Sequence, residues 1–154
     1  MNPTSVSDTI VQEIAIRGTA DRVFEALADP DQRVKWWGGE GRFRATHMKS
    51  DLRPGGKWMM RGNGLGGKLF QVTGEYLQVE PPRLLVFTWL PDWQEDAVES
   101  VVRFDLEERN GVTTVRLTHS GLSTETSRLS HKGWPQILTW LRAYVEQLGI
   151  GTDN

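Results

Sequence analysis

Residues 133–149 read GWPQILTWLRAYVEQLG and contain a clear helical pattern. Apolar side chains recur here at intervals of three and four residues, which is the spacing of one face of an α-helix. They are Trp134, Ile137, Leu138, Leu141, Val145 and Leu148. Pro135 is compatible with the first helical turn, because the N–H that proline lacks has no partner there. The pattern therefore predicts a long amphipathic helix that ends at Gly149.

Most of the preceding chain has the alternating pattern of β-strands. The predicted strands are Thr9–Arg17, Phe43–Leu52, Lys57–Arg61, Lys68–Val79, Arg83–Leu90, Ala97–Glu108 and Val112–Ser120. Asn110-Gly111 is a strong hairpin signal between the last two, since both residues tolerate positive φ. The glycine-rich tract 62–67 indicates a flexible hairpin loop, because it lacks the GK[ST] ending of a phosphate cradle.

Two short helices are predicted after the first strand. Thr19 offers an N-cap hydroxyl to a helix over Ala20–Ala28, and Asp29-Pro30 ends that helix. A second helical turn covers Asp31–Trp37. The order is thus β, α, a run of antiparallel strands and a long helix, which is typical of the α+β class. The C-terminal helix is the one element long enough to cover the apolar face of a curved sheet, and we expect a pocket between them.

Seven short segments of the chain follow a recognisable order and spacing. They are TADRVFEAL (19–27), WW (36–37), DLRPGGKW (51–58), GEY (74–76), PPRLLVFTW (81–89), LTHSGL (117–122) and GW (133–134). With these segments, the layout resembles the helix-grip fold of the START/SRPBCC superfamily, and within it the sequence is similar to the activator of heat shock protein 90 ATPase homologue (AHSA-like) family. The resemblance implies one domain over residues 1–154, with its core at 9–149. It also implies an apolar ligand, and some members of the superfamily are cyclases or hydrolases.

Composition excludes several classes of site. The 154 residues carry a formal net charge of −2 without a basic cluster, so we expect no binding to nucleic acid. The absence of cysteine excludes disulfides, thiolate metal sites and cysteine nucleophiles. The three histidines lack metal-ligand spacing, and neither a metal nor a cofactor is expected. No apolar run is long enough to span a membrane and no signal peptide is visible, so a cytoplasmic protein without membrane insertion is predicted.

The candidate ligand-binding residues are mostly aromatic and aliphatic. They are Trp36, His47, Trp58, Phe70, Val72, Phe87, Trp89, Phe104, His119, Trp134, Leu138 and Leu141. His119 shares a strand face with Val115 and Leu117, and two interpretations remain open. It is either a hydrogen-bonded residue of the core or cavity, or a group that orients a ligand or exchanges its proton near pH 7. Arg61 or Glu75 facing inward would indicate an ionic ligand group or a mutual pair.

Three functions are compatible with these features. The first is binding of an apolar or aromatic small molecule without catalysis. The second is an enzyme that uses His119 or an inward carboxylate as acid or base. The third is a protein-interaction module that contacts a chaperone, as the family resemblance implies. Homodimerisation through a strand edge or the Trp-containing loops is compatible with all three, and residues 91–97 are expected to form a flap.

Overall fold

The computed structural model describes residues 8–38, 43–92, 98–125, 128 and 131–152. Within this part, seven strands form one antiparallel sheet in the order β1-β7-β6-β5-β4-β3-β2. Their bounds are β1 Ile10–Arg17, β2 Arg44–Ser50, β3 Lys57–Asn63, β4 Leu69–Glu80, β5 Leu84–Pro91, β6 Ser100–Arg109 and β7 Val112–Ser120. The sheet curls around a C-terminal helix, so the α+β class and the helix-grip arrangement predicted above are confirmed.

The helices α1 Ala20–Ala28 and α2 Pro30–Trp36 fill one end of the curled sheet. Thr19 Oγ1 accepts a hydrogen bond of 3.2 Å from the Arg22 backbone N–H, as expected of an N-cap. The Asp29 carboxylate caps α2 in the same way, and Pro30 occupies its first turn. The second helix therefore begins and ends one residue earlier than predicted.

Helix α3 covers Trp134–Thr152 and packs its apolar face on the concave side of the sheet. A Cβ atom on Gly18 would lie 2.9 Å from Val145 Cγ1, so glycine allows α3 to approach the end of β1 closely. The prediction that Gly149 ends this helix is wrong, because α3 continues to Thr152. A glycine inside a helix costs only about 1 kcal/mol relative to alanine, which does not stop a helix by itself.

Local turn chemistry sets the hairpins that close the sheet. Asn110 and Gly111 adopt φ values of 54° and 79°, and the predicted β6–β7 hairpin is confirmed. Strand β3 continues to Asn63, two residues into the predicted glycine loop, and a short 3₁₀ turn over Leu65–Gly67 completes the connection. Of the predicted flap, residues 93–97 lie outside the described part of the chain. None of the described helices combines the length and the apolar character that a membrane span requires.

Candidate functional site

A cavity of about 440 Å³ lies between the β3–β4 hairpin, strand β5, the end of α2 and the start of α3. Its wall is largely apolar and aromatic, with one histidine and one lysine. The lining residues are Trp37, Phe43, Met60, Gly64, Lys68, Leu69, Phe70, Val72, Trp89, His131, Gly133, Trp134 and Ile137. The ring centroids of Trp37, Trp89 and Trp134 lie 5.6–6.1 Å from each other, so three indoles form the inner end of this wall.

The structure brings four of the predicted ligand-binding residues to the cavity wall: Phe70, Val72, Trp89 and Trp134. Seven others are buried in the surrounding core without lining the cavity. These are Trp36, Trp58, Phe87, Phe104, His119, Leu138 and Leu141. They support the wall from behind; Phe104 and Trp134, for example, make an edge-to-face contact at 6.3 Å.

His47, the remaining predicted residue, lies outside the cavity. A β-bulge between Ala45 and His47 shifts the register of β2 against β3. One extra residue reverses which side chains face the core, so Ala45 is buried and Met48 packs inward while His47 is exposed. His47 therefore does not line the cavity, although unbroken alternation from Ala45 would direct it inward.

The tandem tryptophans take separate directions. Trp36 ends α2, and its Nε1–H donates to the Ala26 carbonyl oxygen at 2.9 Å, which directs the ring toward α1. Trp37 follows the helix in an extended conformation, with φ −80° and ψ 93°, and its ring lines the cavity. Sequence reasoning selected Trp36 and not Trp37 as a ligand-binding residue.

Several wall residues were not among the predicted site residues. Ile137 belongs to the apolar stripe of α3 and could have been selected from its spacing next to Trp134. Phe43 directly precedes β2, and Met60 alternates with Trp58 on β3. His131 lies in the turn before α3, where no periodic pattern indicates its direction. Lys68 and Leu69 become wall residues through the geometry of the β3–β4 hairpin.

A closed hydrogen-bond network surrounds His119 behind the cavity wall. Trp134 Nε1–H donates to His119 Nδ1 at 3.0 Å, so the imidazole proton resides on Nε2. His119 Nε2–H then donates to Ser100 Oγ at 2.7 Å, and Ser100 Oγ–H donates to the Trp89 carbonyl oxygen at 3.3 Å. His119 has no exposed surface, and both of its ring nitrogens are occupied.

His131 forms the part of the network that reaches the cavity. Its Nε2 accepts a hydrogen bond of 2.9 Å from Trp89 Nε1–H, and its ring lies 4.8 Å from that of His119. Burial, together with repulsion from His131, lowers the pKa of His119 to about 3, so that histidine is neutral near pH 7. The geometry supports a structural role for His119, because acid–base work on a ligand would require breaking its bonds to Trp134 or Ser100.

Arg33 is a second polar group beside the cavity, and the sequence analysis did not select it. Its side chain is 2% exposed, and Nη1–H donates to the Leu27 carbonyl oxygen at 2.7 Å. Its Nε and Nη2 atoms have no hydrogen-bond partner. The guanidinium carbon lies 4.5 Å from the ring centroid of Trp37. Arg33 precedes Trp36 by three residues on α2, but the spacing of a charged residue does not by itself indicate that it is buried.

Burial lowers the pKa of Arg33 to about 10, with a smaller opposing effect from Tyr76. The group therefore remains a cation at neutral pH. No carboxylate of the described residues forms a salt bridge with it. An interior charge without an anionic partner is costly, because the lost hydration is not replaced.

The other polar candidates lie away from the cavity. Arg61 is exposed, and Glu75 forms a 3.1 Å ion pair with Lys57 on the outer side of the sheet. Thr88 Oγ1 accepts a 2.8 Å hydrogen bond from the Glu75 backbone N–H. Among the described residues, no group of three or more carboxylate or imidazole side chains is arranged to hold a metal ion.

Solved structures of bacterial proteins share this architecture. An AHSA1-like protein from Aeromonas hydrophila is 27% identical, with a TM-score of 0.75 over 92% of this chain and 94% of that one. Protein CV1439 from Chromobacterium violaceum is 26% identical, with a TM-score of 0.76 over 90% and 98% of the two chains. Protein NE0264 from Nitrosomonas europaea is 18% identical and shows likeness of fold, with a TM-score of 0.80 over 96% and 99%.

A search of curated proteins finds no match. The model of the family described as "Activator of Hsp90 ATPase homolog 1-like protein" matches residues 17–146, from the end of β1 to most of α3. That span includes every residue named above for the cavity wall and for the two polar groups behind it. The chain therefore belongs to the Activator of Hsp90 ATPase homolog 1-like family.

Proposed function

We propose that the protein binds an apolar, aromatic small molecule in the cavity between the curled sheet and α3. The observation that carries the proposal is the wall itself, in which Trp37, Trp89 and Trp134 face a space of about 440 Å³. This volume lies within the range of roughly 300–1,000 Å³ that is usual for small-molecule sites. Aromatic walls favour flat ring systems, because offset and edge-to-face contacts add to the burial of apolar area.

Binding without catalysis agrees best with the state of the buried histidines. His119 is neutral, fully enclosed and hydrogen-bonded at both nitrogens, so it does not present a proton to the cavity. His131 is the histidine in the wall, and its Nε2 already accepts from Trp89. The few polar groups of the wall are thus suited to orienting a ligand that apolar contacts retain.

The experiment measures binding of N-phenyl-1-naphthylamine, a neutral aromatic fluorophore whose emission rises in apolar surroundings. Ile137→Trp fills the cavity from α3, and Gln136→Trp adds the same side chain on the exposed face of that helix. We expect saturable binding to the native protein, at least tenfold weaker binding to Ile137→Trp and an unchanged Kd for Gln136→Trp. Native mass spectrometry of the purified protein then identifies any retained molecule.

Circular dichroism of both variants shows whether they retain the fold. Equal affinity of the native protein and a folded Ile137→Trp variant would place the fluorophore outside the cavity and contradict the proposal. Absence of any saturable binding, together with no retained molecule in the mass spectrum, would also contradict it.

A further inference from the structure

We propose that the ligand of this cavity is an aromatic acid whose carboxylate is bound by Arg33. The inference rests on the proposed function and adds the chemical class of the ligand. It depends on hydrogen-bond donors in the protein interior that have no partner within the described chain. Arg33 is 2% exposed, yet two of its three nitrogen atoms have no partner.

The free edge of the guanidinium has the shape that a carboxylate requires. Arg33 Nη1 is held by the Leu27 carbonyl oxygen at 2.7 Å, which fixes the orientation of the planar group. The unpartnered Nε and Nη2 atoms share the opposite edge, where two parallel N–H bonds can meet the two oxygens of one carboxylate. One bound carboxylate supplies both the negative charge and the two acceptor oxygens that Arg33 lacks.

Trp58 also has a buried donor without a partner, but it lies at a different place. Trp58 Nε1 lies against Gly74, where a Cβ atom would be 2.4 Å away from it. Unsatisfied buried donors are rare in folded proteins, so the missing acceptor is inferred from the two Arg33 nitrogen atoms, Nε and Nη2.

One aromatic ring separates these donors from the cavity. Trp37 lines the cavity on one side and stacks on the Arg33 guanidinium at 4.5 Å on the other. The aromatic body of the ligand occupies the cavity, and its carboxylate reaches Arg33 when it displaces the Trp37 ring, which packs on Trp89 and Trp134. Lys68, the cation of the cavity wall, is exposed, so its charge is already hydrated and gains less from a ligand.

The test compares two probes that differ in charge and little in shape, 2-naphthoate and 2-naphthamide, by isothermal titration calorimetry at pH 7. Arg33→Met removes the buried cation and keeps an unbranched side chain. Lys68→Met removes the cation of the wall, and Arg61→Met removes an exposed cation of β3. We expect the native protein to bind 2-naphthoate at least tenfold more tightly than 2-naphthamide. Arg33→Met should abolish this preference, while the other two variants retain it.

A second measurement does not depend on any variant. The Arg33 Nε–Hε resonance of the native protein should shift downfield when 2-naphthoate is added and remain in place when 2-naphthamide is added. Equal affinity for the two probes would overturn the inference and leave the proposed function standing. A preference abolished by Lys68→Met but retained by Arg33→Met would also overturn it. Failure of both probes and of N-phenyl-1-naphthylamine to bind would contradict the proposed function itself.

Discussion

Two polar clusters lie behind the same aromatic wall, and they differ in how completely the chain satisfies them. In the histidine cluster, Trp134, His119 and Ser100 form a continuous chain of hydrogen bonds. In the arginine cluster, formed by Arg33 with Leu27 and Trp37, two guanidinium nitrogen atoms have no partner. Folding alone selects for satisfied interior groups, so an unsatisfied cluster next to a cavity indicates a position kept for function.

The largest expected effect on stability concerns the histidine cluster, in which the hydrogen bonds are satisfied. Replacing His119 with leucine keeps an apolar side chain of similar size but leaves Trp134 Nε1–H without an acceptor and Ser100 Oγ without its donor. Each orphaned buried group costs about 1–3 kcal/mol, so we expect the free energy of unfolding to fall by about 3 kcal/mol. Equilibrium urea denaturation measures the change.

The matched control is His47→Leu, which removes the exposed histidine of β2. An exposed substitution of this kind should change the free energy of unfolding by about 0.5 kcal/mol or less. Equal losses for the two variants would show that the His119 network adds nothing to stability, and the contrast between the two clusters would fail.

Acid tests the same cluster without a mutation. The pKa of His119 is about 3 in the folded protein and near 6.5 when unfolded, so the unfolded chain binds the proton first as the pH falls. Stability is then lost below pH 6.5 by about 1.4 kcal/mol per pH unit, or about 2 kcal/mol at pH 5. Urea denaturation between pH 7 and pH 4.5 measures this slope. His119→Leu should have a flatter profile, and parallel profiles would assign the acid sensitivity to other groups.

Local patterns predicted most of the fold from the sequence. The α3 stripe, the Thr19 cap and the Asn110-Gly111 turn each depend on residues that are close in the chain. The cavity is formed by residues that are distant in the chain, and the sequence predicted its lining less well. The bulge after Ala45 turns the His47 side chain away from the core. Helix α2 ends at Trp36, so the side chains of Trp36 and Trp37 take different directions.

The wall and the core share one type of side chain, so composition does not separate them. Phe70 on β4 and Trp89 on β5 line the cavity, whereas Phe87 on β5 and Phe104 on the neighbouring β6 fill the core. Arg33 was missed for a different reason. A charged residue on a short helix is ordinarily a surface residue, and only its three-dimensional surroundings reveal that it is enclosed.

The arginine cluster, with its unpaired cation, predicts a substitution that stabilises the folded protein. An unpaired buried cation costs several kcal/mol, whereas its stacking on Trp37 and its bond to Leu27 return about 3 kcal/mol together. We therefore expect Arg33→Met to raise the free energy of unfolding of the ligand-free protein by about 1 kcal/mol, measured by urea denaturation. Arg61→Met, which removes an exposed charge, should leave it unchanged. A loss of stability in Arg33→Met would show that the cation is satisfied in the native interior.

The smallest expected effect is the difference in stability between two tryptophan substitutions, only one of which removes a hydrogen bond. Trp134→Phe and Trp58→Phe remove the same atoms from buried sites, 1% and 3% exposed, but only Trp134 loses a bond, to His119 Nδ1. Since one such bond contributes about 1 kcal/mol, Trp134→Phe should cost about that much more than Trp58→Phe in urea denaturation. A larger cost at Trp58 would mean that its N–H has an acceptor in solution. Arg33 would then be the sole residue of the described part of the chain with buried side-chain donors left unsatisfied.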